Sequence, residues 1–334
     1  MSGDLDDRTK WFNIKEEDKE NALPPIKVGY PGKLGRAGCF TKWADQKVET
    51  YPISKKLVKN NICVSDIHAG CMFGLCPPMG IFLDNGAPYL PSKAQQVVWD
   101  WWLEFWFEWV PLVTKNEAFT VVINGDWVDG RHHGAVSQIS QNLATQNKIG
   151  LACIEQIYQL PGFAGLYSVR GTEAHTGQSG ENEEVLAKQA EAIPDELGNY
   201  SRHDLWLKVG DALCHYLHHI GTSGSSAHEA SAVNAEMTAE YVEAARWGHQ
   251  PPDFVIRSHR HRSIVVDLDG AKGYAAGIVT PGWQLKTPFT FKIAGARMQQ
   301  PQFGGILIRT GDQEHYYRRW VKSIGRSKTE EPSA

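Results

Sequence analysis

The stretch Val64-Ser65-Asp66-Ile67-His68-Ala69-Gly70 decides the fold, because it ends a short apolar run and opens into a glycine-containing loop. The run Asn61-Ile62-Cys63-Val64 is typical of a buried strand. Asp66 and His68 then project to the same side of an extended chain, since side chains along a strand alternate with period two. A carboxylate and an imidazole at this position are a candidate pair of metal ligands.

Three later stretches repeat this arrangement, with ligand-type side chains directly after an apolar run. They are Val121-Val122-Ile123-Asn124-Gly125-Asp126, Leu213-Cys214-His215-Tyr216-Leu217-His218-His219 and Phe254-Val255-Ile256-Arg257-Ser258-His259-Arg260-His261. Open α/β sheets place their sites at the carboxyl ends of strands, so we expect these side chains to converge there.

The order of predicted elements indicates a layered α/β domain. Strands and helices alternate from residue 61 onward, and the second half is rich in strands, which favours helices outside the sheets. Strands are predicted near 61–66, 119–124, 164–170, 205–209, 212–218, 254–258, 263–267, 274–279 and 304–309. Helices are predicted over 92–110, 135–159, 181–193 and 226–247.

The length and charge of the chain limit its class. The chain has 334 residues, which allows a large core, and its net charge of -4 gives no overall basic field that would indicate nucleic-acid binding. We expect a partly ordered extension over 1–58, one domain over 59–324 and a polar tail over 325–334. The polar, acidic start predicts a cytoplasmic protein with reduced thiols.

The segment 92–110 is the most apolar of the sequence and contains several tryptophans. Ser92 and Gln95 form a predicted capping box, and Pro111 is expected to mark the end of the helix. The segment is too short and too often charged to span a bilayer, so we expect no membrane contact. Packing against a sheet explains the tryptophans. The alternative is a homo-oligomer interface, since so much exposed tryptophan is costly.

The candidate ligands are carboxylates and imidazoles without thiolates. They are Asp66, His68, Asp126, His219, His259 and His261. This mixture suits Mn, Fe, Zn or Ni better than Ca or a thiolate zinc site. Six ligands are too many for one catalytic ion that keeps an open position, so we expect two divalent ions that share a bridging carboxylate. His218 is the alternative to His219, because adjacent residues on a strand point oppositely.

The order of these residues resembles the pattern of the calcineurin-like metallophosphoesterases. That pattern is D-x-H, G-D-x-x-D, G-N-H-[DE], a His that ends a strand, and G-H-x-H. The matching stretches here are Asp66-Ile67-His68, Gly125-Asp126-Trp127-Val128-Asp129, Gly171-Thr172-Glu173-Ala174-His175, His218-His219 and Ser258-His259-Arg260-His261. The resemblance covers about 61–283 and implies a four-layer α/β/β/α sandwich.

Further stretches look like a branch of this family found in bacteriophages and prophages. They are the Gly-Thr-Glu-Ala-His variant, Asp129-Gly130-Arg131-His132-His133 and Pro281-Gly282-Trp283-Gln284. If the protein is phage-encoded, its expected location is the cytoplasm of a bacterial host.

The resemblance also implies a role for each residue. Asp66, His68 and His261 would hold one ion. Asp126 would bridge to a second ion, held by His219 and His259. A metal-bound hydroxide would attack the phosphate ester, and His175 would protonate the leaving oxygen or stabilise the charge developing on it.

Four residues near Asp126 are expected to support this chemistry without binding metal. Asp129 is predicted to accept a proton from a ligand or a water molecule behind the metals. Arg131, His132 and His133 are candidates for orienting the phosphate, with a solvated loop as the alternative.

The sequence departs from the family pattern where an Asn ligand of the second ion should follow Gly171. Thr172 occupies that position, but a short hydroxyl is a poor substitute for an amide oxygen. Glu173 reaches further and would bind more strongly, although its negative charge repels phosphate. We expect Glu173 to be the ligand, with Thr172 or water as the alternatives.

The predicted substrate is a phosphodiester, either a nucleic acid or a nucleotide. This choice depends on the phage-like motifs and on a basic C-terminal region around Arg318 and Arg319. A phosphomonoesterase acting on proteins or nucleotides is the alternative. A degenerate member that keeps the fold as a binding module is a third hypothesis, which the missing Asn favours.

Overall fold

The computed structural model describes residues 58–132, 134, 136–221, 228–270, 273–294, 300–311 and 314–325. The predicted N-terminal extension except Val58, the predicted C-terminal tail except Gly325, and His133 lie outside the described residues.

The described part of the chain is a mixed α/β structure. Its strands are β1 (Asn60–Val64), β2 (Ile81–Phe82), β3 (Pro88–Tyr89), β4 (Phe119–Asn124), β5 (Phe163–Val169), β6 (Ser201–Arg202), β7 (Leu205–Val209), β8 (Ala212–Tyr216), β9 (Phe254–Arg257), β10 (Ile264–Gly270), β11 (Gly273–Val279), β12 (Gln302–Thr310) and β13 (His315–Ser323). Its α-helices are α1 (Lys93–Glu104), α2 (Val110–Thr114), α3 (Leu143–Ile154), α4 (Glu173–Thr176), α5 (Glu181–Gln189), α6 (Glu229–Trp247) and α7 (Pro288–Ala294).

The larger sheet has the strand order β13-β12-β1-β4-β5-β6. Its strands β1, β4, β5 and β6 run parallel, and every residue of β1 and β4 is buried. Val64 pairs with Ile123, and Asn124 pairs with Val169. In this register the chain leaves β1, β4 and β5 at the same sheet edge, so the loops that follow these strands are neighbours.

The smaller of the two main sheets has the order β10-β11-β9-β8-β7. β9 is parallel to both β8 and β11, and Tyr216 pairs with Ile256. The histidines that follow β8 and β9 therefore start from adjacent strand ends. Strands β2 and β3 form a separate two-stranded sheet.

Apolar side chains from both main sheets share one core cluster. It includes Cys63 and Val122 from the larger sheet and Cys214, Ile256 and Ala276 from the smaller one. A second cluster joins the other face of the larger sheet to α1, α3 and α5. Two small clusters join α6 to the smaller sheet. Both main sheets are thus buried on two faces, as their apolar strands require.

Buried polar side chains join the two sheet edges where the strands end. Asn124 donates from Nδ2 to Ser258 Oγ at 2.6 Å and to the Leu217 carbonyl at 3.0 Å. Thr280 Oγ1 lies 2.7 Å from the hydroxyls of both Ser65 and Ser258. This chain of hydrogen bonds lies directly behind the loops that carry the candidate ligands, so it fixes one sheet edge against the other.

The tryptophan-rich segment is helical but longer than predicted. The Ser92–Gln95 capping box is confirmed. The prediction that Pro111 ends the helix is wrong, because a π-helical turn at Phe105–Trp109 leads into α2, where the proline takes a first-turn position that needs no amide donor.

Most of the aromatic side chains of this segment pack against other residues of the same chain. Trp102, Phe105 and Trp106 are buried, and Trp102 lies 4.7 Å from Trp283 between ring centroids. Trp283 in turn donates its backbone N–H to the Asp66 carbonyl, so the aromatic cluster supports the first ligand loop. Oligomerisation through this segment stays a prediction.

Other boundaries differ from the sequence-based expectation. The helix predicted over 135–159 begins only at Leu143, after the Asn142 N-cap, and ends in a 3-10 turn at Glu155–Gln159. Strand β13 was not predicted, because its exposed polar residues hide the alternation. No helix in the described ranges has the length and apolar character needed to cross a bilayer.

Candidate metal centre

The loops after β1, β4 and β9 bring the predicted ligands together with an unusual backbone. Eight non-glycine residues of the described chain have positive φ, and five of them are Asp66, His68, Asp126, His259 and His261. Each such residue costs about 1–3 kcal/mol and persists only where its surroundings enforce it. The concentration of strain at candidate ligands indicates that their directions matter more than local stability.

The first ligand set is Asp66, His68 and His261. Nε2 of His261 lies 3.2 Å from Asp66 Oδ1 and 3.2 Å from His68 Nε2, and the three ligand atoms could surround one ion. The other carboxylate oxygen of Asp66 is occupied, since it accepts hydrogen bonds from Ser65 Oγ and from the His259 backbone N–H. Only Oδ1 is left to bind a cation.

The second ligand set is Asp126, His218 and His259. Asp126 Oδ2 lies 3.0 Å from His218 Nε2 and 3.9 Å from His259 Nδ1. The same oxygen is 4.0 Å from His68 Nε2 of the first set. Asp126 therefore faces both sets, as expected for a bridging ligand. Asp66 also approaches the second set, since its Oδ1 lies 3.9 Å from His218 Nε2.

His218, and not His219, faces the centre. His218 is 2% exposed, whereas His219 is exposed. The described residues contain three candidate metal groups, namely the two sets above and a third of His68, Asp129 and His175, and His219 belongs to none of them. The His219 ring contacts the His259 ring at 4.9 Å between centroids, on the outer side of the second set. The geometry favours the alternative that adjacent strand residues point oppositely.

Thr172, and not Glu173, lies beside Asp126. The backbone N–H of Thr172 donates to Asp126 Oδ1 at 2.7 Å, and its hydroxyl donates to the same oxygen at 3.1 Å. Glu173 is exposed at the start of α4 and belongs to none of the three candidate groups. The predicted Glu173 ligand is therefore not brought to the centre, because α4 starts there and turns its side chain outward.

Two buried atoms test whether a cation fits. Asp66 Oδ1 and His218 Nε2 are buried beside other candidate ligand atoms, His261 Nε2 at 3.2 Å and Asp126 Oδ2 at 3.0 Å, in directions that give no well-formed hydrogen bond. His218 Nδ1 lies 2.7 Å from the Asn124 carbonyl, to which it donates, so in the neutral ring Nε2 carries the lone pair. A carboxylate oxygen and an imidazole nitrogen with free lone pairs fit the donor set of a divalent transition metal.

The electrostatics of the centre keep its carboxylates ionised. Burial acts to raise the pKa of Asp66 and Asp126, but the neighbouring imidazoles outweigh it and hold both pKa values below the usual range. For His218, burial acts to lower the pKa, but the Asp126 and Asp66 carboxylates dominate and raise it to about 10. Without a cation, a proton on His218 thus compensates the buried negative charge.

Asp129 contacts the first set through the far side of the His68 ring. Its Oδ1 lies 3.2 Å from His68 Nδ1, which orients the opposite nitrogen of that ring towards the first set. Gln284 donates to Oδ1 at 3.3 Å, and Gln138 donates to Oδ2 at 2.7 Å. Asp129 is 1% exposed, so every contact it makes is shielded from water.

His175 lies at the open side of the centre. Its Nδ1 donates to the Asp129 carbonyl at 2.6 Å, and its Nε2 lies 3.9 Å from Asp126 Oδ2. Burial is the main reason that the His175 pKa is lowered to about 4. The ring is therefore neutral near pH 7, with its lone pair on Nε2.

The predicted phosphate-orienting residues lie at different places. His132 contacts Asp129 Oδ2 at 3.3 Å and packs on His175, so it borders the centre. Arg131 is exposed and donates to the Gln141 carbonyl. His133 lies outside the described residues.

Sequence reasoning missed three buried side chains behind the centre: Gln138, Glu183 and Gln284. They bind Asp129 or the backbone of the ligand loops through contacts between distant segments. Local sequence patterns do not reveal such contacts. For Gln284, its place after Pro281-Gly282-Trp283 was the one available signal.

Comparison with known proteins gives little beyond this geometry. No protein-family model and no curated protein matches the chain. Among solved structures, it is similar to Vacuolar Protein Sorting 29 from Cryptosporidium parvum, with 9% identity, a TM-score of 0.29, and coverage of 80% of this chain and 100% of the other. It is also similar to the Thermotoga maritima protein TM1076, with 10% identity, the same TM-score and the same coverage. At these scores the functional argument depends on the site itself.

Proposed function

We propose that this chain is a dinuclear-metal-dependent hydrolase of phosphate esters, and specifically a phosphodiesterase acting on nucleic acid or nucleotides. The observation that carries the proposal is the position of Asp126, whose Oδ2 lies within 4.0 Å of nitrogens from both ligand sets. A carboxylate shared by two sets of imidazole ligands is the arrangement that a pair of ions requires.

In this proposal, Asp66, His68 and His261 hold one ion, and Asp126, His218 and His259 hold the other. Thr172 takes the place of the family's amide ligand, and Mn, Fe, Zn or Ni fits the oxygen and nitrogen donors. When bound, such ions supply Lewis-acid activation of the phosphate ester and of water. The layering of helices on both outer sides of two packed sheets is consistent with the four-layer sandwich that the motif resemblance implies.

His175 accepts and then donates a proton on the open side of the centre. Its Nδ1 proton is held by the Asp129 carbonyl, and its Nε2 is free to accept. Because its pKa is lowered to about 4, the ring must first take a proton from the reacting groups before it can give one to the leaving oxygen. His175 thus acts as a relay within one turnover.

The proposal is tested by metal content and hydrolysis measured on the same preparation. The full chain, loaded with Mn²⁺ and desalted, is expected to retain about two ions and to hydrolyse bis-p-nitrophenyl phosphate. Asp126→Asn is expected to abolish both properties. A wild-type chain that is folded but binds no ion, or that binds ions and hydrolyses neither di- nor monoesters, contradicts the proposal.

The choice of substrate is tested separately. Comparison of the diester with p-nitrophenyl phosphate distinguishes a phosphodiesterase from a phosphomonoesterase. A panel of single-stranded DNA, double-stranded DNA, cyclic nucleotides and phosphoproteins then identifies the physiological class. Hydrolysis of the monoester alone would identify a phosphomonoesterase and would not contradict the proposed dinuclear centre.

A further inference from the structure

Glu183 on α5 is a fully buried carboxylate that belongs to neither ligand set. Its Oε1 accepts a hydrogen bond from the Trp127 backbone N–H at 2.8 Å, and its Oε2 accepts one from the Gly171 backbone N–H at 2.7 Å. Both oxygens are thus used, and both partners belong to loops that carry the metal centre. No cationic side chain in the described ranges forms an ion pair with it.

The two amides bound by Glu183 flank the most crowded part of the centre. Trp127 directly follows Asp126, and Gly171 directly precedes Thr172, whose amide and hydroxyl both donate to Asp126. A Cβ atom at position 171 would lie 2.1 Å from Asp126 Oδ1, so the two loops are already at their closest approach. Glu183 therefore ties the Asp126 loop to the Thr172 loop from the side opposite the ligands.

The chemistry of this position explains why a carboxylate is used. Two N–H donors converge there from separate loops, and a carboxyl group has an oxygen for each of them, whereas an amide side chain has only one acceptor oxygen. A buried carboxylate without a cationic partner costs stability. Its presence is better explained by the position it imposes on the two loops than by a contribution to stability.

We infer that Glu183 is a positioning residue that sets the distance between Asp126 and Thr172 and so shapes the second ion's half of the centre. The inference rests on the proposed dinuclear function. Outer contacts of metal ligands typically change metal affinity by about 10–100-fold, and the same order is expected here. The first half is also held by Asp129 through His68, so its affinity should change less than that of the second half.

Glu184 is a natural control on the same helix. Its carboxylate also accepts two backbone N–H groups, from Tyr200 at 2.8 Å and from Ser201 at 2.8 Å, but these belong to the β6 region and not to a ligand loop. Glu184→Ala therefore removes a similar pair of backbone contacts, together with an ion pair to Arg170 at 3.8 Å, but no hydrogen bond to Trp127 or Gly171.

The experiment titrates Mn²⁺ into the metal-free full chain and follows both stepwise affinities and the electron paramagnetic resonance spectrum. Two neighbouring Mn²⁺ ions give a spin-coupled signal, whereas one ion does not. Glu183→Ala is expected to weaken the second affinity about tenfold or more and to lose the coupled signal at equal total metal. Glu183→Gln, which keeps one acceptor, should lie between Ala and wild type, and Glu184→Ala should match wild type.

The outcomes separate this inference from the proposed function. Wild-type protein that binds fewer than two ions contradicts the dinuclear function and with it the inference. Wild-type protein that binds two ions, with unchanged affinities in folded Glu183→Ala or Glu183→Gln, overturns the inference alone. So does an equal loss of both affinities that Glu184→Ala reproduces, because that result indicates general loosening of α5.

Discussion

The two halves of the candidate metal centre are built differently. The first half, around Asp66, His68 and His261, comes from stretches that resemble the metallophosphoesterase motifs, and the buried Asp129 contacts it through His68. The second half, around Asp126, His218 and His259, lacks the usual amide ligand, and the Thr172 hydroxyl donates to Asp126 in its place. The difference teaches that short sequence motifs can supply the candidate ligands. The hydrogen bonds that orient those ligands come from other residues, such as Asp129 and Thr172.

Asp126 is common to both halves, so its replacement gives the largest expected effect. Asp126→Asn removes the charge that faces both ligand sets, and both ions should be lost. The reduction in hydrolysis should exceed the roughly 10–100-fold loss that follows removal of an outer contact. Elemental analysis and initial rates measure it. Retention of two ions by this variant would show that the halves do not share a ligand.

Replacement of His218 should affect only the second half. His218→Ala removes a buried ligand atom, so about one ion per chain should remain. His219→Ala is the matched neighbour and should keep about two, because its ring lies outside the ligand sets. The reverse result would restore the original prediction that His219 is the ligand.

Asp129→Asn should weaken the first half alone. The amide cannot accept from His68 and from the two glutamines as the carboxylate does, so the His68 ring loses its fixed orientation. A loss of about 10–100-fold in the first ion's affinity is expected, measured by competition with a chelator. Equal weakening of the two affinities would contradict the assignment of Asp129 to one half.

Thr172 offers a smaller change in the second half. Thr172→Asn restores an amide oxygen at the departure from the family pattern and should tighten the second ion severalfold, whereas Thr172→Ala should loosen it to a similar extent. Glu173→Gln serves as the control, since this exposed side chain lies outside the centre. A loss of affinity in Glu173→Gln alone would instead identify Glu173 as the ligand.

The smallest effect concerns the stability of the metal-free chain. Because the folded pKa of His218 is raised from 6.5 to about 10, its pairing with Asp126 and Asp66 stabilises the fold fully below pH 6.5. This stabilisation is lost as the pH rises through about 10. Thermal unfolding with a chelator between pH 7.5 and pH 10 should show a falling midpoint in wild type and a flatter one in His218→Gln. Parallel curves would contradict the assignment.

The candidate ligands could be chosen from the sequence because they lie in short motifs at strand ends. Asp66, His68, Asp126, His259 and His261 could be identified in this way, and the structure brings all five together. His218 and His219 could not be separated with certainty, because the direction of a side chain just beyond a strand depends on the turn that follows. The outward position of the Glu173 side chain could not be foreseen, because the start of α4 was not predicted.

The supporting residues could not be predicted for a different reason. Glu183 acts through backbone amides 12 and 56 residues away in the chain, and Gln284 reaches Asp129 across 155 residues. Such contacts follow from the packing of distant loops and have no local signature. The α/β class was predicted from the alternation of strands and helices. Strand β13 was not predicted, because its residues are mostly polar.

The central claim is that carboxylates and imidazoles from four loops surround two ions with Asp126 between them. The most direct test is a crystal structure of the full chain grown with Mn²⁺, with anomalous difference maps. The account predicts two peaks roughly 3.5–4 Å apart, one beside Asp66 and His261 and one beside His218 and His259. A single peak, or peaks remote from Asp126, would contradict it.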